Sequence, residues 1–257
     1  WLENGFQADL HYLTHKKDKL KDPRQAFKGM RSILMFKEKY FPMGDKQQKI
    51  FSPLKVAYYA QGQDYHFWLK EKLKGYIESL QTTFPKETFR AFTDSIPLLE
   101  RDFAHQAGLG WVGKNTCLIH PKEGSLFFIG EILTSLEAPK TSTVAHPDHC
   151  GSCQACLQAC PTGALIEPKV LDANRCIAYW NIESRKVPPL DIREKMEDWF
   201  FGCDICQTVC PWNIKIHKDL EDFPQPSAAV NDLIPPLKEI LTSSNKKLSR
   251  LVEQTPL

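Results

Sequence analysis

Residues 150–161 read CGSCQACLQACP, four cysteines followed by a proline. Cys150, Cys153, Cys156 and Cys160 have the spacing C-x2-C-x2-C-x3-C-P, and CDICQTVCP gives Cys203, Cys206 and Cys210 the same C-x2-C-x3-C-P end. Two-residue gaps let one loop wrap three thiolates around an iron-sulfur cubane. The three-residue gap starts a helical turn that sends the last cysteine towards a neighbouring cluster. This assigns Cys150, Cys153, Cys156 and Cys210 to one 4Fe-4S cluster. Cys160, Cys203 and Cys206 are then one ligand short of a second, and Cys176 in NRCIAYW is the fourth. Zinc needs only four thiolates in a tetrahedron and has no use for eight with two C-P ends. Cys117 is the ninth, set in an apolar stretch, and reads as a small buried side chain. An odd count, with eight of nine cysteines between 150 and 210, argues for ligation in a reducing compartment and against a disulfide framework.

A two-cluster module needs only a small domain, so the segment before it must do something else. Up to about residue 145 the chain alternates apolar β-formers with helical patterns. RSILMF (31–36), TFRAF (88–92), TCLIH (116–120) and SLFFIGEIL (125–133) read as strands. DYHFWLKEKLKGYIESL has apolar residues at 65, 69, 73, 76 and 80, a helical stripe with Asp64 at its start. PLLERDFAHQA (97–107) reads as a second helix, opened by Pro97 and closed by Gly108. The expected organisation is a layered domain of the α+β or α/β class over 1–145, a ferredoxin-like two-cluster domain over 146–215, and a Pro-rich, helical segment over 216–257.

With 33 basic and 31 acidic residues, the net charge of +2 neither demands nor forbids a polyanionic partner. HKKDKLKDPRQAFKGMR (15–31) concentrates seven Lys or Arg against two Asp, a basic patch or simply a solvated helix face. No run of eighteen apolar residues and no leader pattern is present, so the expectation is a cytoplasmic protein that does not span a membrane.

The segments WLENGFQADLHYL, DPRQAFKGMRSI, FTDSIPLLERDFAHQAGLGWVGKNTCLI, GSLFFIGEIL, CGSCQACLQACPTGAL, NRCIAYW and FGCDICQTVCPWN together resemble the epoxyqueuosine reductases, in that order along the chain. The resemblance implies a cobalamin held between a reductive-dehalogenase-like domain and the cluster domain. It also implies reduction of the epoxyqueuosine epoxide to an alkene with loss of water, at the wobble position of tRNA. Electrons would come from an external low-potential donor such as a flavodoxin or ferredoxin, through both clusters, to a monomer. Asp94 in FTDSIPLLER would be the proton donor, keeping its proton through burial, although Asp94 alone reads more readily as a helix cap. Carried over residue by residue, the cobalamin contacts are Lys114, Asn115, Leu118, Ile129 and Asp94 on one side and Ala178 and Asp204 on the other. The arginine usual three residues before the DPR proline is Leu20 here, flanked by Lys19 and Lys21, and Lys21 is taken as its substitute point charge. Gln63 in YYAQGQDYH stands where the family carries a lysine. Tyr179, Trp180, Arg185, Lys186, Trp212 and Lys215 are candidates to hold an anticodon stem-loop through stacking and phosphate contacts. Two other readings compete: a dehalogenase-like corrinoid reductase of a small substrate, and a non-catalytic electron-transfer protein.

Overall fold

The computed structural model describes residues 1–40, 54–138, 145–217 and 244–251. Its first part is built on an antiparallel sheet of β1 (Ser32–Lys39), β3 (Phe89–Phe92) and β6 (Phe127–Thr134), in the order β1-β6-β3. The central strand explains why SLFFIGEIL reads as a continuous apolar run. Successive side chains leave a strand on opposite faces, and both faces of β6 are covered.

On one face, Phe128 and Ile132 pack with Phe89, Ala91 and the Tyr65, Leu69 and Leu73 stripe of helix α3 (Tyr65–Thr83). Gly130 belongs to this face; a Cβ there would sit 2.9 Å from Leu73 Cδ1, so the absent side chain lets α3 lie close. On the other face, Phe127 and Ile129 pack with Leu118 and Ala104 of helix α4 (Glu100–Gln106). Helix, sheet and helix thus form three layers. Asp64 caps α3 as expected, its side chain accepting from the His66 N–H. Ile77 packs on the core, whereas Tyr76 stays 44% exposed.

Two short helices, α1 (His11–His15) and α2 (Lys17–Lys21), carry the basic stretch and bury no residue. Helix α4 starts at Glu100, not at Pro97. The chain leaves β3 and turns at once, with Asp94 at φ +55°, and residues 95–99 run as an irregular loop before the helix begins. Its end is as expected, with Gly108 at φ +77° just past Gln106. The expected strand at 116–120 is only β5 (Leu118–Ile119), paired with β4 (Trp111–Val112).

The cysteine-rich part consists of short elements: helix α5 (Ala155–Ala159), the hairpin β7 (Leu165–Glu167) and β8 (Val170–Leu171), a π-helical turn at Tyr179–Glu183, helix α6 (Leu190–Arg193), strand β9 (Trp199–Phe201), and helices α7 (Ile205–Thr208) and α8 (Pro211–His217). Several contacts sew it to the first part. Strand β2 (Lys55–Val56) pairs in parallel with β9. The buried side chain of Asn213 accepts from the Ser125 N–H at 2.7 Å and donates to Ser125 Oγ at 2.9 Å. The N-terminal residues lie on the cysteine-rich part, with the Ala173 N–H donating to the Phe6 carbonyl at 2.8 Å and the Asp9 N–H to the Tyr179 hydroxyl at 3.1 Å. Of the segment expected over 216–257, only the end of α8 and helix α9 (Asn245–Leu251) fall among the described residues.

Candidate functional site

None of the nine cysteines is paired in a disulfide. Cys150, Cys153, Cys156 and Cys210, brought together from α5, the loop before it and the start of α8, line one cavity of about 240 Å³. The thiols of Cys150, Cys156 and Cys210 interact electrostatically. Cys160, Cys176, Cys203 and Cys206 form a second group, Cys203 sensing Cys176 and Cys160, and Cys206 sensing Cys203 and Cys176.

Local backbone shows why each cysteine stands where it does. Cys210 directly precedes α8, and Trp212 and Asn213 direct their N–H groups at its sulfur, with Pro211 at the first helical position where no N–H is needed. Cys160 accepts from the Ala164 N–H at 3.3 Å, Cys203 from Ile205, and Cys176 from Tyr179 and Ala178. Donors aimed at sulfur are what a thiolate ligand requires, and they help set a cluster's potential. The donor sets therefore fit two 4Fe-4S clusters. Cys117 lies beside Cys206, whose thiol holds that of Cys117 below its usual range, while burial acts the other way.

A second, larger cavity of about 770 Å³ opens between the layered part and the cysteine-rich part. Phe127, Phe128 and Ile129 of β6 form one wall, and Ile182, Glu183 and Phe201 of the cysteine-rich part another. Asp94 stands at its rim, solvent-exposed, so the chain alone does not bury it. Its carboxylate accepts a hydrogen bond from the Tyr65 hydroxyl at 2.8 Å, and its backbone N–H donates to Glu100 Oε1 at 3.0 Å. Because α4 begins six residues later, Asp94 does not cap it. Burial first, and then the Asp94 charge, hold the Tyr65 phenol well above its usual range, so it remains a donor.

The carried-over cofactor contacts fall in different places. Asp94 and Ile129 line the large cavity. Lys114 and Asn115 line the small one: Lys114 Nζ donates to the carbonyls of Gly151 and Cys153 at 2.6 and 2.8 Å, and the Asn115 amide donates to the Cys206 carbonyl at 3.1 Å. Lys21, Leu118, Ala178 and Asp204 line neither. Leu118 is in the core under α4. Asp204 is buried, its carboxyl pushed up to about 6 by desolvation, against the Tyr58 N–H and the Gln207 amide that it accepts from. Leu20 does reach the large cavity, together with Lys16 one turn earlier. The cation on that wall is thus Lys16, not Lys19 or Lys21.

Of the RNA candidates, Tyr179 is buried and unavailable for stacking, and Lys186 pairs with Asp9 at 2.7 Å. Trp212 packs edge-on against Trp111 beside the small cavity. Trp180, half-buried, donates its indole N–H to the Asn174 carbonyl, while Arg185 and Lys215 are exposed. Sequence reasoning missed Tyr65, Glu100 and Glu131 as site residues. Glu131 left a signal, a lone carboxylate inside an apolar strand.

Thiolates arranged for two clusters beside an acid-bearing pocket define an iron-sulfur oxidoreductase. An epoxyqueuosine reductase of Cyclobacterium marinum is 39% identical over 221 residues, covering 85% of this chain and 71% of the relative. The chain belongs to the epoxyqueuosine reductase family. Another relative of that name, from Francisella cf. novicida, is 37% identical over 98% of this chain and 72% of its own length. Residues 21–95 match the family model "Epoxyqueuosine reductase QueG, DUF1730", and residues 149–213 match the "4Fe-4S double cluster binding domain". The structure of the Bacillus subtilis epoxyqueuosine reductase, described with its aspartate-bearing catalytic loop swung out of the active site, superposes with a TM-score of 0.81 at 30% identity, over 97% of this chain and 67% of that one. An epoxyqueuosine reductase bound to an epoxyqueuosine-modified tRNA stem loop gives 0.75 at 29% identity. This chain spans 62% of that protein's length.

Proposed function

We propose that this protein reduces epoxyqueuosine to queuosine in tRNA, with Asp94 as proton donor and the two clusters as the electron path. The observation carrying the reading is the large cavity itself. It joins Asp94 and its Tyr65 partner to a wall built from the cluster-bearing segment, so acid and electron source meet in one space.

The cavity also suits a cobalamin. Phe127, Phe128 and Ile129 offer an apolar wall for a flat macrocycle, and Lys16 a cation beside it. When bound, that cofactor supplies low-valent cobalt for the two-electron reduction. The protein's share is to seat the epoxide, exclude water and deliver protons. Tyr65 fixes the direction of the Asp94 carboxyl, and the positive φ of Asp94 keeps that residue turned away from the sheet and towards the cavity rim. The first cluster has an exposed ligand, Cys153, through which an external low-potential donor gains access. The second group of thiols belongs to the segments that build the far cavity wall, since Phe201 immediately precedes Gly202 and Cys203. Among the described residues no helix is long and apolar enough to cross a membrane.

The deciding experiment measures queuosine formation in epoxyqueuosine-containing tRNA with reconstituted protein. Wild type converts it, while Asp94→Asn loses on the order of 10²- to 10⁴-fold in rate with its cluster absorbance unchanged. An untouched epoxide with wild type ends the assignment; a fully active Asp94→Asn ends the role of Asp94. An electron-transfer protein without catalysis would bind no corrinoid, which the visible spectrum reads directly.

A further inference from the structure

Reducing an epoxide to an alkene breaks both C–O bonds, forms one C=C bond and releases the oxygen as water. It consumes two electrons and two protons, and a single aspartic acid carries only one proton. The second must come from elsewhere in the pocket.

Behind Asp94 lies a pair of carboxyls. Glu100, in the first turn of α4, lines the cavity, and its Oε1 holds the Asp94 N–H at 3.0 Å. Glu131, in β6 between the Phe92 and Met35 backbones, is 0% exposed and faces Glu100 across the α4 side of the sheet. Among the described residues, neither Glu131 oxygen has a hydrogen-bond donor. Two carboxylates in contact without a donor repel. One proton shared between them removes the repulsion and supplies the missing bond.

Resting on the activity proposed above, we propose that the cavity-lining Glu100 and the buried Glu131 form a pair that holds one proton and returns it to Asp94, providing the second proton of each turnover. Among the described residues, Tyr65 remains a neutral phenol, and Asp94, once it has given up its own proton, adds negative charge that favours a held proton; the Asp94 N–H bonded to Glu100 and the Arg101 guanidinium, which also donates to the Thr116 carbonyl, oppose it. Burial first, and then the Asp94 charge, raise the Glu100 carboxyl; burial and then Glu100 raise that of Glu131. Glu131 touches no substrate in this scheme. It acts through Glu100 as a positioning residue for the proton.

The test uses the reconstituted holoenzyme and two variants, Glu131→Gln and Glu100→Gln, each checked for fold by circular dichroism and cluster absorbance. Infrared spectroscopy of protein carrying ¹³C-labelled glutamate shows a protonated carboxyl at neutral pH in wild type, lost in both variants and retained in Asp94→Asn. In single turnover, wild type holds its rate across the neutral range. Glu131→Gln instead slows by up to about tenfold per pH unit, because bulk solvent must then supply the proton. A wild type with both carboxyls ionised at neutral pH overturns the inference while measured reduction stands. So does a loss of rate in Glu131→Gln that is equal at every pH, the signature of a purely structural role. A wild type that shows the infrared band yet leaves the epoxide intact overturns the activity, and the relay with it.

Discussion

The Asp94 carboxylate owes its setting to one phenol and one turn. Tyr65 spends its ring on the core, stacked on Phe128 at 4.2 Å, and its hydroxyl on Asp94. Tyr65→Phe keeps the packing and removes the hydrogen bond, so stability should change by about 1 kcal/mol or less while reduction slows about tenfold, measured by urea unfolding and single-turnover rate. Equal rates in both proteins would show that the bond positions nothing. The two cysteine runs were legible in sequence because their spacing is local, each gap of two or three residues being itself the geometry of the wrap, whereas the isolated Cys176 was reached only as the ligand left over. Asp94 was legible only through family resemblance. Tyr65 and Glu100 were not legible, and Glu131 showed only as a lone carboxylate in an apolar strand, since these side chains meet near Asp94 only after the sheet has brought α3, α4 and β6 together.

Among the elements, the junction between sheet and cluster segment carries the tightest constraints. Gly124 has φ +68°, and a Cβ there would fall 2.1 Å from Asn213 Oδ1, the atom that accepts from the Ser125 N–H. Gly124→Ala should cost about 1 to 3 kcal/mol from the left-handed backbone alone. It should also push Asn213 out of its buried network with Ser125 and Gln207. Urea unfolding reads the first effect. Cluster retention under mild denaturant reads the second, because α8 holds both Asn213 and the N–H groups directed at Cys210. Helix boundaries were less legible. Pro97 is a good helix opener by type, yet the turn at Asp94 and the loop after it delay the helix to Glu100, a contest between local preference and the route the chain must take.

For the molecule as a whole, the Glu100 and Glu131 pair predicts a direction of stability with pH. Both carboxyls are raised in the folded state, so folding binds a proton more tightly than the unfolded chain does. That contribution is complete below the ordinary glutamate range and is lost as pH climbs through the raised values. Between about pH 5 and pH 9 the urea midpoint of wild type should fall, and Glu131→Gln should flatten the slope. A midpoint that rises over that range in wild type, or an unchanged slope in the variant, would contradict the pair's protonation.

The parallel pairing of β2 with β9 joins residues 55–56 to 199–201, and Phe201 closes one side of the cavity. Chain order therefore becomes an order of manufacture. On the ribosome the layered part, with its acid and its apolar wall, emerges long before the strand that completes the cavity, and that strand comes only two residues ahead of Cys203, a proposed cluster ligand. The pocket is finished by the same stretch that must find its iron, so the site that spends electrons closes only as the site that delivers them is assembled.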